Sequence, residues 1–218
     1  MGRQYLVLGA GRFGSSVAKT LYNLGHDVMV VDSDEDIVQK INSDVTNAVQ
    51  ADATSEKALA ALDIKSYDAV VIAVADDMQT SIMAAILLVE MNAHYIVAKA
   101  QTELHGKVLN KIGVNRVVYP EMDMGKKVAH SILAPSIIDL FELSDEYSVV
   151  EVKASKEMTG KTLKELDLRA RHGVSVIALR CEANRKVNIA PVGDDIIGVD
   201  DIIVAIGDYK SLKKLEWI

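Results

Sequence analysis

Tyr5-Leu-Val-Leu-Gly-Ala-Gly-Arg-Phe-Gly14, followed by His26-Asp-Val-Met-Val-Val-Asp32, is the stretch whose reading decides the fold. Tyr5–Leu8 is an apolar strand that runs into glycines spaced Gly-x-Gly-x-x-Gly, and Ser15–Leu24 reads as a helix. At a strand-to-helix turn of this kind each glycine has its own task. Gly9 permits the tight turn, Gly11 lets a diphosphate approach the backbone, and Gly14 lets the helix pack closely on the strand. The first amides of the helix then face the phosphates with the positive end of the helix dipole. The next strand, His26–Val31, ends at Asp32, whose carboxylate is placed to accept hydrogen bonds from ribose hydroxyls. A carboxylate there disfavours a 2′-phosphate and hence NADP, but it does not separate ATP, ADP and NAD, which all carry a free ribose diol.

Outward from this turn, strand-like and helix-like segments alternate. Helix Asp34–Ser43 with Ser33 as N-cap, strand Ala48–Ala51, and helix Ser55–Leu62 capped by Thr54 or Ser55 come first. Asp68–Val74 is a continuous apolar strand, as a parallel strand buried on both faces should be. Helix Asp77–Asn92, strand Tyr95–Lys99, helix Glu103–Ile112 and strand Arg116–Tyr119 follow. The pattern predicts an α/β, Rossmann-like doubly wound parallel sheet over residues 1–122, with ligands at the carboxyl ends of its strands. Residues 123–143 read as a helical crossover or hinge, Met124–Leu133 and Ser136–Leu143, interrupted at Pro135; an extra packing helix on the first domain fits the same pattern. Residues 144–218 read as a small α+β C-terminal subdomain. Its strands are Tyr147–Val152, Val174–Arg180, Lys186–Ile189 and Asp201–Ile206, with one short helix at Thr162–Asp167. A unit of this size often completes its core by dimerising.

The bulk properties narrow the function classes. The chain has 218 residues, 50% hydrophobic and 25% charged, an ordinary globular composition. Its net charge of −7 argues against a nucleic-acid binder and against electrostatic adhesion to an anionic membrane. Cys181 is the only cysteine, which excludes an intramolecular disulfide framework and fits a reducing compartment. No signal peptide and no apolar run of membrane-spanning length is expected, so any membrane association would run through a partner.

Little in the chain points to catalysis. The five histidines, His26, His94, His105, His130 and His172, form no evident triad, and no Cys-x-x-Cys, His-Glu-x-x-His or Walker lysine motif is present. The expectation is a nucleotide that is sensed rather than turned over. Arg12, inside the glycine turn, either pairs with a phosphate, in its own subunit or a neighbour's, or is a solvated turn residue. Asp52-Ala53-Thr54 either borders an adenine at the sheet edge or caps a helix. Lys99 and Glu121 end or follow strands facing the crevice; the lysine can reach phosphates, whereas a glutamate there needs an intervening cation.

Together, Gly9-Ala-Gly-Arg-Phe-Gly14, Asp32, Asp52-Ala-Thr54, Val71-Ile-Ala-Val74, Lys99-Ala-Gln101, Lys111-Ile-Gly-Val-Asn-Arg116 and Pro120-Glu-Met-Asp-Met124 resemble the regulatory RCK (KTN) proteins. These are the KtrA and TrkA type subunits of bacterial and archaeal potassium transporters. Leu143-Ser-Asp-Glu-Tyr147, Val149-Val-Glu151 and Leu166-Asp-Leu-Arg-Ala-Arg-His-Gly173 resemble the start of the family's C-terminal subdomain, and the single-unit KtrA type is the better match. The resemblance implies a cytoplasmic octameric ring docked beneath a membrane potassium-translocating subunit of the KtrB or TrkH type, peripheral to the inner face of the cell membrane. The ring would bind ATP or ADP, with NAD(H) in some relatives, and switch shape with the ligand. Gly9, Gly11, Phe13 and Gly14 would form the phosphate turn and Asp32 would hold the ribose. Asp52, Ala53 and Thr54 with Ala73 and Val74 would border the adenine, and Lys99 would approach the phosphates. Arg12 would reach the γ-phosphate across a dimer interface, where Glu121 would help bind a divalent cation or sodium. The helices after Met124 would link protomers. Cyclic di-AMP, bound by some members, would be lined by Arg169, Ser175, Val176 and Pro191, though Ser175 and Val176 read equally as plain sheet residues.

Two other functions fit the residues. A small NAD-dependent oxidoreductase would draw its catalytic group from Asp76, Asp77, Lys99 or Gln101. An interaction module with a relict nucleotide fold would bind no ligand.

Overall fold

Gln4–Leu8 (β1) forms the centre of a six-stranded parallel sheet in the computed structural model, which describes residues 2–74, 77–133, 137–144 and 146–218. Its partners are Asp27–Asp32 (β2), Asn47–Gln50 (β3), Ala69–Ile72 (β4), Ile96–Lys99 (β5) and Arg116–Val118 (β6), in the spatial order β3-β2-β1-β4-β5-β6. The order reverses at β1, the switch point of a doubly wound sheet. Leu6, Val7 and Leu8 are all fully buried because helices cover both faces. Leu6 and Leu8 pack with Ile72, Leu88 and Leu109, whereas Val7 packs with Ala18, Val30 and Ile41 on the opposite face.

The covering helices are Arg12–Asn23 (α1), Glu35–Ile41 (α2), Glu56–Ala60 (α3), Met78–Glu90 (α4) and Glu103–Ile112 (α5). Asp34, Ser55, Asp77 and Thr102 cap α2 to α5 through side-chain oxygens that accept first-turn amide protons. The cap of α2 is therefore Asp34 and not Ser33. Pro120 begins the next helix, Pro120–Leu133 (α6), where its missing amide proton costs nothing.

The chain divides into two compact units, Met1–Met122 and Asp123–Ile218. The second is built on an antiparallel sheet of Ile137–Glu142 (β7), Tyr147–Lys153 (β8), Ser175–Arg180 (β9), Val187–Ile189 (β10) and Ile202–Asp208 (β11), ordered β10-β9-β11-β8-β7. Leu163–Leu166 (α7), Leu168–His172 (α8) and Tyr209–Lys214 (α9) accompany it. Its core gathers Val150, Val152, Leu168, Val174, Ile197, Ile203, Leu212 and Trp217. Thr162 and Glu165 close a reciprocal capping box at the expected short helix. The sequence pattern does not anticipate α8 or α9.

One expected element is corrected. Of the two crossover helices, Met124–Leu133 falls within α6, but the second is a strand: β7 pairs antiparallel with β8, with Leu140 opposite Val150 and Phe141 opposite Val149. A short apolar run does not by itself distinguish helix from strand, and here the open edge of β8 supplies the backbone partners. The break expected at Pro135 lies outside the described residues.

Candidate functional site

Strand register assembles the site. Leu8 lies opposite Val31 and Ile72, so Gly9, Asp32 and Ala73 emerge side by side at the carboxyl end of the sheet. The Gly9 amide donates to the Val31 carbonyl at 2.7 Å. Gly9 has φ +95°, and a Cβ on it would stand 2.8 Å from the Val74 nitrogen, so both conformation and space demand glycine. A Cβ on Gly14 would overlap the Gly9 carbonyl oxygen, which shows how closely α1 is drawn onto the turn. Gly11 faces open space. It is also the N-cap of α1, with no side chain bonded to the first amides and no acidic residue in the first turn. The positive end of α1 is thus left available to an anion.

These residues line a cleft of about 790 Å³ that holds Gly9, Gly11, Arg12, Phe13, Asp32, Ala73, Val74, Lys99 and Glu121 of the anticipated set. Gly14 lies buried behind it. The Asp32 carboxylate clips the turn by accepting from the Ala10 amide at 2.6 Å and the Asp34 amide at 3.0 Å. A carboxylate has roughly four acceptor sites, so it retains capacity for a ribose diol. Lys99, at the end of β5, is buried and donates to Glu121 at 2.6 Å. That bond, before any other influence, holds the Glu121 carboxyl below its usual range, with the Lys99 and Arg12 charges contributing less.

Asp52, Ala53 and Thr54 do not line this cleft. Asp52 accepts from the Thr54 amide and hydroxyl at 2.8 and 2.7 Å, which lowers its pKa, and Ala53 packs in the core. This trio shapes the turn before Ser55, the N-cap of α3. Ser33, Asp34, Ile37, Asp77, Thr80 and Gln101 line the cleft as well. Asp77 and Gln101 were candidates under the oxidoreductase reading; of the others, Ser33 and Asp34 follow the end of β2, so the strand-end rule was the signal that could have found them. Asp77 accepts from the Thr80 hydroxyl at 2.7 Å and from the Gln79 and Thr80 amides, which lowers its pKa, the hydroxyl bond acting most strongly. Asp76 lies outside the described residues. Among the described residues no three His, Cys, Asp or Glu side chains converge on a metal-sized site. In the second unit, Arg169, Ser175, Val176 and Pro191 share a depression of about 350 Å³ with Lys164 and Asp167.

Residues 5–120 match the TrkA-N domain and residues 147–216 the TrkA-C domain. The chain belongs to the KtrA/TrkA family of RCK regulatory proteins. It is 37% identical over 216 residues to the Ktr system potassium uptake protein C of Bacillus subtilis (strain 168), covering 99% of this chain and 97% of that protein. Identity to the Ktr system potassium uptake protein A of the same organism is also 37%, over 214 residues and 98% and 96% of the two chains. Among solved structures, the GsuK channel bound to NAD superposes with a TM-score of 0.70 at 19% identity, and the GsuK RCK domain with 0.68 at 17%. Each covers all of this chain, which spans 39% and 47% of theirs, and at these identities they establish the RCK fold alone. No helix of the described residues is long and apolar enough to cross a membrane.

Proposed function

We propose that this chain is the nucleotide-sensing regulatory subunit of a potassium uptake system, binding ATP or ADP in the cleft of its first unit and altering the state of a membrane potassium-translocating subunit. The observation that carries the reading is the uncapped start of α1 at Gly11, in a cleft that Asp32 and the Arg12 and Lys99 cations also line. That combination suits a phosphorylated ribose nucleotide. NAD(H) satisfies the same groups, and relatives of the fold support both classes: GsuK has been solved with NAD and with ADP. A sensing role fits the polar groups of the cleft, which serve as helix caps and an ion pair rather than as an aligned acid and base.

Control of the partner then follows from unequal affinity for two shapes of a homo-oligomeric, octameric ring at the inner face of the cell membrane. Arg12 reaches the terminal phosphate across a dimer interface. Glu121 helps hold a divalent cation or sodium, whose coordination the ligand's own phosphate oxygens complete. Asp52–Thr54 stand back from the base as a supporting turn. The depression around Arg169 and Pro191 is the proposed place for cyclic di-AMP.

Calorimetric titration of the nucleotide-stripped protein with ATP, ADP and NADH, with and without Mg²⁺, tests the reading. Micromolar binding without turnover, weakened at least tenfold by Asp32→Ala, is the expected result. Absence of binding by all three nucleotides overturns it. Potassium flux with the partner, compared between wild type and Asp32→Ala, tests the control step.

A further inference from the structure

Six ionisable side chains line the cleft, and three of the four carboxylates among them are committed to the fold. Asp32 holds the glycine turn, Asp34 caps α2 and Asp77 caps α4. Glu121 is different, because its side chain is bonded to Lys99. The ion pair is lopsided: the Lys99 side chain is 9% exposed and that of Glu121 is 65% exposed. A buried ammonium requires an anionic or hydrogen-bonding partner, whereas an exposed carboxylate does well in water. Lys99 therefore holds Glu121 in place more than the reverse. The pairing follows from register, since Lys99 lies opposite Val118 and the chain turns at once into α6, whose first turn carries Glu121.

We propose that Glu121 is an internal competitor for the ligand's phosphate: its carboxylate supplies the anion that the buried Lys99 ammonium needs, and phosphate oxygens displace it on binding. The proposal rests on the nucleotide-binding reading of the cleft. Displacement has two consequences. Only a ligand that brings anionic oxygens releases Lys99 from Glu121, so phosphorylated nucleosides alone drive the exchange, and they bind less tightly for it while neutral ones are unaffected. The freed Glu121 then stands at the head of α6, the helix that carries the chain from the first unit into the second. Its carboxylate becomes available to a cation only after the exchange, so cation and phosphate enter as a pair.

The test uses the full, nucleotide-stripped chain as wild type and Glu121→Gln, titrated in EDTA with ADP, adenosine and inorganic pyrophosphate. Removing the competing charge tightens ADP and pyrophosphate about fivefold, a gain kept small by the exposure of Glu121, and leaves adenosine unchanged. With Mg²⁺ the gain shrinks or reverses, because the cation loses a ligand. Hydrogen exchange adds a structural reading: amides 124–128 exchange faster in Glu121→Gln and in ADP-bound wild type than in the empty wild type. Equal or weaker ADP and pyrophosphate binding by Glu121→Gln in EDTA overturns the competition, and unchanged exchange overturns the freeing of Glu121 at the head of α6. Should wild type bind none of ATP, ADP and NADH, the nucleotide reading falls by itself. Pyrophosphate then still decides the competition, which stands if Glu121→Gln binds it more tightly and falls if the two proteins bind it equally.

Discussion

At the residue scale, His105 carries the clearest consequence of burial. It is 1% exposed in the first turns of α5, its Nδ1 accepts from the Gln101 amide at 3.4 Å, and its buried Nε2 has no protein partner among the described residues. An accepting Nδ1 leaves the proton of the neutral ring on Nε2, and burial lowers the pKa below the ordinary 6.5 by penalising the charged form. The sign follows from linkage: below pH 6.5 the unfolded chain binds a proton that the folded chain resists. The stability owed to His105 is complete above that pH and is lost as pH falls toward the depressed folded value. Unfolding free energy of wild type should thus decline below pH 6.5 with a slope of at most about 1.4 kcal/mol per pH unit, the value for one proton. His105→Asn should flatten this region of the profile, as urea titrations at a series of pH values will show. A wild-type profile no steeper than that of the variant excludes the assignment.

At the element scale, α5 is locked against Tyr119, the residue that follows β6, by a contact invisible in the periodicity of either element. A Cβ on Gly106, inside α5, would overlap the Tyr119 hydroxyl and stand 2.7 Å from its ring carbon Cζ. At an open helical position glycine to alanine stabilises by about 1 kcal/mol. Here the sign reverses, and Gly106→Ala should cost about 1–3 kcal/mol of first-unit stability, read from denaturant midpoints. Shortening the opposing side chain in Gly106→Ala/Tyr119→Leu should recover part of that loss, whereas a double variant no better than the sum of the singles removes steric overlap as the cause. The same scale explains β7. Ile137–Glu142 is too short for periodicity to classify, and its state was decided by the pairing edge of β8.

At the scale of the whole molecule, each unit closes its own core, around Leu8, Ile72 and Leu88 in the first and around Val150, Ile203 and Trp217 in the second. Trp217 is the only tryptophan and is buried, so its fluorescence reports the second unit. Ile203→Ala, at a fully buried position, should lower second-unit stability by about 2–5 kcal/mol. The midpoint followed by Trp217 should move accordingly, with ADP affinity in the first unit kept within about twofold; an equal fall in both would show that the units do not hold separate cores. Much of this molecule was legible beforehand for a local reason. Strand-to-helix turns, caps and apolar runs are written in adjacent residues, so the glycine turn, Asp32, the parallel sheet and the short α+β unit were determined by sequence alone. What needed the tertiary structure is whatever depends on which strand lies beside which. Register brought Ser33, Ile37 and Thr80 to the cleft and left Asp52–Thr54 outside it, turned a supposed helix into β7, and joined Lys99 to Glu121, residues that no sequence period relates. The cleft contacts arise from the packing of strands distant in the chain, which no window of local sequence contains, and β7, though next to β8 in sequence, takes its state from that pairing rather than from its own period.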